Sequence, residues 1–563
     1  MFHRFEYRLL RQFWGVGKLY WLSREKWQAF GLLVLLFFLS LLGVGLLVLL
    51  SVFLGELESS LAATDRERFF QTISILLGTL VIGIPVASLK VYIQGKLSLY
   101  WRKWLTNHFL NQYLQKQNFY HLTAYSEIDN PDQRISEDIQ NFTQQFLYFA
   151  MVLCDSILQL IGFSGVLWRI SPPLMIFLII YAIVGTALTT TVFGRILVGI
   201  NFEQLKREAD FRYGLIRVRD NAEAIAFYQG ENVESQELGE RLLRVIINYA
   251  RLIRWQLGLD LFQNSYQYIT FLLPTIVLAP QILAGDLEIG VSAQAGVAFR
   301  SILISLSLII SQFQQLSALG AATSRLDELQ NTIVSLENPS KSVTHLNWVE
   351  DSYIEFENVT LQTPDAQKVI VENLSFRLSE GDSLLIIGKS GVGKTSLLRA
   401  IAGLWDYGTG TIKCPARSDE SLSHLLFLPQ RPYMVLGSLR QQLLYPNLNR
   451  MVADDELLQV LQQVNLYNLI EKGAELDTVE DWGRVLSVGE QQRLSFARLL
   501  LQSPQYAILD EATSALDEEN QSLLYELLQK SRITYISVGH RSSLRSFHHK
   551  VLELQSQGNF VLD

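Results

Sequence analysis

The segment Gly388-Lys389-Ser390-Gly391-Val392-Gly393-Lys394-Thr395, followed by Ser396, sets three glycines, a lysine and a hydroxyl at the spacing of a phosphate-binding loop. Glycines let backbone N–H groups close on a polyphosphate, Lys394 reaches the β- and γ-phosphates, and Thr395 offers its hydroxyl to Mg²⁺. A second candidate is Asp510-Glu511, which closes the apolar run Tyr506-Ala507-Ile508-Leu509. Asp510 suits holding the metal through water, and Glu511 suits orienting or deprotonating an attacking water. An isolated Asp-Glu pair at a strand end more often caps the strand. Behind a phosphate loop, hydrolysis of a nucleoside triphosphate is the favoured chemistry.

Such a site needs strands to aim it. Ser383–Ile387 is an apolar strand running straight into the loop, and Ser396-Leu397-Leu398-Arg399-Ala400 opens a helix after it. Tyr506–Leu509 is expected beside that strand, while Ser352–Val359 and Val369–Leu378 read as an antiparallel pair. These elements define an α/β domain over 341–563.

The rest of the chain is of another class. Of 563 residues, 49% are hydrophobic and 18% charged, against about 25% charged in ordinary soluble domains; mean hydropathy is +0.18. Runs long enough to cross a bilayer fall at about 29–54, 69–95, 146–170, 173–200, 258–284 and 292–316, giving a polytopic α-helical domain of six transmembrane helices over 1–335. The first run is too long for the core of a cleavable signal. Lys and Arg crowd the N-terminal segment (Arg4, Arg8, Arg11) and the loops around Arg102 and Arg212, which places both termini and the long loops in the cytoplasm. Those loops are expected to be helical extensions of the spans. Phe2, Phe5, Leu9 and Phe13, followed by Trp14, Tyr20, Trp21 and Trp27, suit an interfacial helix anchoring the first span. The net charge of −8 gives no basis for nucleic acid as a partner, and Cys154 and Cys414 alone supply neither a disulfide framework nor a thiolate metal site.

Charges inside apolar helices usually face a partner or a cavity. Asp155 and Gln159 share a face of span three, Asp260, Asn264 and Gln267 share one of span five, and Arg300 and Ser307 lie on span six. Two readings stand side by side. Asp155, Asp260, Asn264 and Arg300 line a polar substrate pathway, with Asp155 or Asp260 pairing Arg300, or these groups satisfy one another inside the bundle.

Ahead of the Asp510 strand, Leu486-Ser487-Val488-Gly489-Glu490-Gln491-Gln492-Arg493 resembles the signature motif of ABC-type ATPases. Gln430 after Leu426-Phe427-Leu428-Pro429 resembles the Q-loop, Ser514-Ala515-Leu516-Asp517 the D-loop, and His540 in Ser537-Val538-Gly539-His540 the switch histidine. With the phosphate loop and Asp510-Glu511, six elements stand in family order across 352–545. The resemblance implies an exporter-type ABC fold fused to an ABC ATPase domain, with ATP and Mg²⁺ as cofactors. It implies that Glu511, His540 and Gln430 are catalytic, and that Thr395, Gln430 and Asp510 hold the metal. It also implies that Leu486, Ser487, Val488, Gly489 and Glu490 face the ATP of an opposite subunit, and that Gln430 links the metal site to the membrane helices. Val488 and Glu490 stand where Gly and Gln are commonest, with Ser487 and Gly489 kept. Leu361-Gln362-Thr363-Pro364 lacks the aromatic residue that often stacks on adenine, a contact worth about 1–3 kcal/mol elsewhere.

Six spans and one ATPase domain resemble a half-transporter, so a second copy is the implied partner, as a homodimer or in a heterodimer. Asn130-Pro131-Asp132-Gln133-Arg134-Ile135, Glu208–Arg212 and Asn221–Tyr228 resemble the adrenoleukodystrophy-type fatty-acyl half-transporters and their bacterial peptide- and cobalamin-uptake relatives. By that resemblance Glu223 couples the membrane helices to the ATPase; a packed loop helix is the structural alternative. The expected function is ATP-driven transport of an amphipathic or hydrophobic substrate such as a fatty-acyl compound, peptide or cobalamin. An ATP-gated channel or regulator is the alternative. The lipid partner is expected to be the bacterial plasma membrane.

Overall fold

The computed structural model describes residues 2–125, 128–306, 312–337, 345–364, 367–415, 424–471, 473 and 475–563. They form two compact units, Met1–Glu337 and Asn338–Asp563.

Among its described residues the first unit is helical. Lys26–Ala62, Arg66–Ala124, Pro131–Ile170 and Glu231–Leu283 are long and apolar enough to cross a bilayer. The other two expected runs fall on shorter apolar helices, Pro172–Gly185 and Gly290–Leu306, and Ser307 lies outside the described residues. The first span is helix α1 (Lys26–Ala62), followed by α2 (Arg66–Leu114), α3 (Ile139–Ile170) and α4 (Pro172–Leu188). Beyond these come α5 (Arg195–Asp220), α6 (Ala222–Tyr228), α7 (Glu231–Leu283), α8 (Gly290–Leu306) and α9 (Phe313–Glu337). The basic loops are thus largely helix, continuing the apolar stretches.

With lipid on one side, helices associate through close packing and hydrogen bonds, which favours small residues at crossings. The α1–α8 crossing shows this. A Cβ on Gly290 would stand 1.7 Å from the Gly55 carbonyl oxygen, and the Gly290 N–H donates to Ser59 Oγ at 3.2 Å. Arg68 at the head of α2 bridges Glu56 of α1 and Glu288 just before α8. The helix Phe2–Trp21 is not simply interfacial: Val16 and Tyr20 are buried, Tyr20 stacks on Trp101 at 5.8 Å, and Phe13 packs on Phe142. Trp14 and Trp27 stay exposed.

The second unit contains two larger sheets. Strands β1 (Asn347–Glu350), β2 (Ile354–Gln362), β3 (Val369–Leu378) and β5 (Gly408–Cys414) lie in the order β1-β5-β2-β3, with β2 antiparallel to both neighbours. The larger sheet uses β4 (Ser383–Gly388), β6 (Leu425–Leu428), β7 (Tyr506–Asp510), β8 (Thr534–Val538), β9 (Lys550–Leu554) and β10 (Phe560–Leu562) in the order β10-β9-β4-β8-β7-β6. Only the β9–β10 pair is antiparallel. β7 was expected against β4, but β8 separates them. All five residues of β8 are buried, so it takes the central place. The core beneath contains Trp482, Phe496, Leu509 and Tyr525.

Candidate functional site

Because β4, β8, β7 and β6 run parallel, their carboxyl ends open on one edge, where an open α/β sheet binds ligands. The phosphate loop leaves β4, Glu511 follows β7, His540 follows β8 and Gln430 follows β6. Residues far apart in sequence converge there for topological reasons.

The loop ends at Gly393, whose φ of +112° and position against Ile370 exclude a side chain; a Cβ would lie 2.1 Å from Ile370 Cγ2. Helix α10 (Lys394–Ile401) starts from it. Lys394 is buried and its Nζ donates to the loop carbonyls of Gly388 and Lys389 at 3.0 and 3.2 Å; desolvation lowers its pKa. A cation bent onto its own loop, at a helix N-terminus, is a cradle for an anion.

Glu511 takes a left-handed φ of +47°, an uncommon conformation for a non-glycine residue. Its backbone N–H donates to the Val538 carbonyl at 3.1 Å. Gln430 Nε2 donates to Glu511 Oε2 at 2.8 Å, and His540 Nε2 lies 3.1 Å from Glu511 Oε1. The three expected catalytic side chains therefore meet. Asp510 has its pKa raised by burial and by Glu511, against the opposing pull of Arg399, Lys394 and a hydrogen bond from Thr395. Hydroxyl, carboxylate and amide oxygens from Thr395, Asp510 and Gln430 are hard donors, a set that fits Mg²⁺.

Ser487 caps helix α11 (Val488–Gln502), and Glu490 completes a capping box with it. Gln492, one turn on, was not singled out from sequence although it is a hub. It is fully buried, its Nε2 donates to the Gln430 carbonyl and to Ser514 Oγ at 3.1 and 3.3 Å, and its Oε1 accepts from Ala515 N–H at 3.0 Å. One amide thus ties the signature helix to the Q-loop and D-loop. The available signal was an amide on the stripe of Phe496 and Leu499, at i+4 and i+7. Across the D-loop, Arg541 donates to the Ser514 carbonyl at 3.3 Å and to Gln521. In the stretch without an aromatic, Leu361 is fully buried.

Residues 18–283 match the family described as ABC transporter transmembrane region 2, and residues 371–514 match the family described as ABC transporter. An uncharacterized ABC transporter ATP-binding protein of Synechocystis is 46% identical over 549 residues, 96% of this chain and 82% of that protein. The chloroplastic ABC transporter D family member 2 of Arabidopsis thaliana is 39% identical over 610 residues, covering 97% and 86% of the two chains. The human lysosomal cobalamin transporter ABCD4 is 34% identical over 533 residues, covering 88% and 87%.

The chain belongs to the ABC transporter family. It is a membrane domain fused to an ABC ATPase domain that binds and hydrolyses ATP to drive transport, and its relatives include D-family members. They do not favour the channel or regulator alternative.

In this ABC transporter the expected pathway residues are not brought together. Asp155 forms its ion pair with Lys90 of α2, a residue not singled out from sequence. Arg300 stacks its guanidinium over the Phe271 ring, 4.3 Å from the centroid, and no ion pair joins it to Asp155 or Asp260 among the described residues. Asp260 and Asn264 lie on an exposed face of α7, and Gln159 Oε1 accepts from Ser305 Oγ at 3.3 Å. Glu223 sits on α6, whose Phe227 and Tyr228 are 79% and 87% exposed. Arg134, quoted only for resemblance, is a buried anchor: it pairs with Asp129 and Glu328 and donates to the Arg325 carbonyl, fixing its segment to α9.

Proposed function

We propose that the working transporter is a pair of these chains, each crossing the membrane six times, with each ATP held between the phosphate loop of one copy and Leu486–Glu490 of the other. The clustering of Gln430, Glu511 and His540 on the edge that carries Lys394 is the observation that carries the hydrolytic half-site each copy contributes. Gly388–Ser396 wraps the phosphates, with Lys394 turning from its loop carbonyls to the β- and γ-phosphates. Glu511 accepts the proton of the attacking water, and His540 holds the γ-phosphate edge of the site. Thr395, Gln430 and Asp510 would hold Mg²⁺, which when bound would supply charge neutralisation on the phosphates. Ser487 and Gly489, at a helix N-terminus, supply donors toward the γ-phosphate from the second copy.

ATP closes the paired ATPase domains, hydrolysis reopens them, and the membrane helices alternate access. Glu223, flanked by exposed Phe227 and Tyr228, passes that motion to the helices. Asp260, Asn264 and Arg300 offer polar contacts along the route, and Asp155 contributes through Lys90. The substrate is amphipathic, of the fatty-acyl, peptide or cobalamin kind; the name of the human relative supports the last. The Synechocystis relative supports a bacterial plasma membrane as the site of action.

The test is Glu511→Gln in the purified full chain. Turnover should fall by roughly 10²–10⁴-fold, as for loss of a general base, while Mg-ATP still binds and becomes trapped. Turnover within threefold of the parent would refute the assignment.

A further inference from the structure

Glu490 is one of the two positions where the signature departs from the commonest residue, and its carboxylate holds the hydroxyl that the reading above turns toward the γ-phosphate. Ser487 Oγ donates to Glu490 Oε2 at 2.8 Å, the Ser487 N–H donates to the same oxygen at 2.9 Å, and the Glu490 N–H donates back to Ser487 Oγ at 3.3 Å. A hydroxyl has one proton, so a hydroxyl donating to Glu490 cannot at the same time donate to a phosphate. Both contacts to the carboxylate are charge-assisted, roughly twice as strong as their neutral counterparts. A carboxylate also stands one hydrogen bond away from the position meant to receive a highly charged anion. A glutamine there would still accept from both Ser487 groups, but without the charge.

We propose that Glu490 is a positioning residue that sets the affinity of the signature segment for ATP. It keeps Ser487 latched within its own helix terminus, and the γ-phosphate must displace the latch before the paired site closes. The proposal rests on the paired-site reading and deepens it. The charge and the latch act in the same direction, so removing the charge and weakening the latch should tighten nucleotide binding. This is opposite to the usual effect of altering a motif residue.

The experiment is steady-state Mg-ATP hydrolysis by the full chain in lipid nanodiscs, comparing the parent with Glu490→Gln and Ser487→Ala and recording thermal stability for each. Glu490→Gln should lower KM for ATP about fivefold, the size expected when a charge-assisted bond becomes a neutral one, with melting unchanged. A KM equal to or above the parent value overturns the proposal. Should Glu490→Gln not purify, Glu490→Met, similar in length and uncharged, carries the same expectation and the same refutation. Ser487→Ala separates the two levels. If it leaves hydrolysis unaltered, the paired-site reading fails; if it impairs hydrolysis while Glu490→Gln leaves KM unmoved, only the role of Glu490 fails. A merely structural capping role would lower melting and leave KM alone, which also overturns the proposal.

Discussion

Lys90→Met tests how the membrane unit tolerates its internal charges. The Lys90 ammonium and the Asp155 carboxylate pair between apolar stretches of α2 and α3, with side chains 18% and 25% exposed. Breaking a buried pair by removing one partner costs about 3–5 kcal/mol, and a lone Asp at the centre of a membrane helix costs about 2.5–3.5 kcal/mol on insertion scales. The remaining exposure screens part of this, so roughly 2–3 kcal/mol is expected for Lys90→Met. Asp155→Asn should cost slightly less, about 2 kcal/mol, because a stranded lysine can snorkel toward the interface. The double variant leaves no charge unpaired and should lie within about 1 kcal/mol of the parent. The coupling energy is then at least about 3 kcal/mol, large for a double-mutant cycle. Thermal inactivation in detergent reads the order of the four proteins. A double variant as unstable as the two singles summed would refute the pairing. Arg300→Met combined with Asp155→Asn serves as the control and should be additive.

At the α1–α8 crossing, Gly290→Val drives a side chain into the Gly55 backbone, where no rotamer relieves the clash. A loss at or above the upper end of the roughly 1–3 kcal/mol seen for overpacking should appear as a lowered melting temperature by fluorescence-detected chromatography, and parent-like melting would contradict the close crossing. In the ATPase unit, burial holds the His548 imidazole down at about 4; its Nδ1 lies 2.7 Å from the Leu544 carbonyl, and its Nε2 has no partner among the described residues. Its folded pKa lies below the unfolded value of about 6.5, so acidification protonates the unfolded chain first and stability falls as pH drops from about 6.5 to 4, by at most about 3 kcal/mol. His548→Gln keeps a donor for Leu544 and should flatten melting over that window; an unchanged slope would exclude His548 as its source.

The residues on the sheet edge were legible because the chemistry fixes both type and place. Polyphosphate binding needs glycines and a lysine after a strand, and Glu511, Gln430 and His540 each end a strand of the same parallel sheet. The strand order was not legible: spacing says that Tyr506–Asp510 is apolar, but not that Thr534–Val538 will lie between it and Ser383–Gly388. Among the membrane charges the failure had a different cause. Lys90 follows an apolar run and precedes Lys96, Arg102 and Lys103, so it reads as the edge of a basic loop. Only the packing of α2 on α3 turns it toward Asp155. Gln492 and Arg134 escaped for the same reason, since a buried amide or guanidinium is recognised by what surrounds it.

These partners share a consequence. As the residues stand, Lys394 donates to its own loop carbonyls, Glu511 receives Gln430 and lies against His540, and Ser487 donates to Glu490. A nucleotide therefore exchanges contacts at each point rather than simply adding them, and exchanged hydrogen bonds contribute only about 0.5–1.5 kcal/mol net. Affinity for ATP should then be modest and sensitive to any side chain that holds a site residue in its resting contact. The Ser487–Glu490 contact differs from the other two in one respect. Gln430 and His540 are themselves read as working groups, and the Gly388 and Lys389 carbonyls belong to the loop, so none can be altered without altering the site. Glu490 can lose its charge while Ser487, the residue it restrains, stays intact, and for that reason the signature position is where affinity for ATP can be tuned.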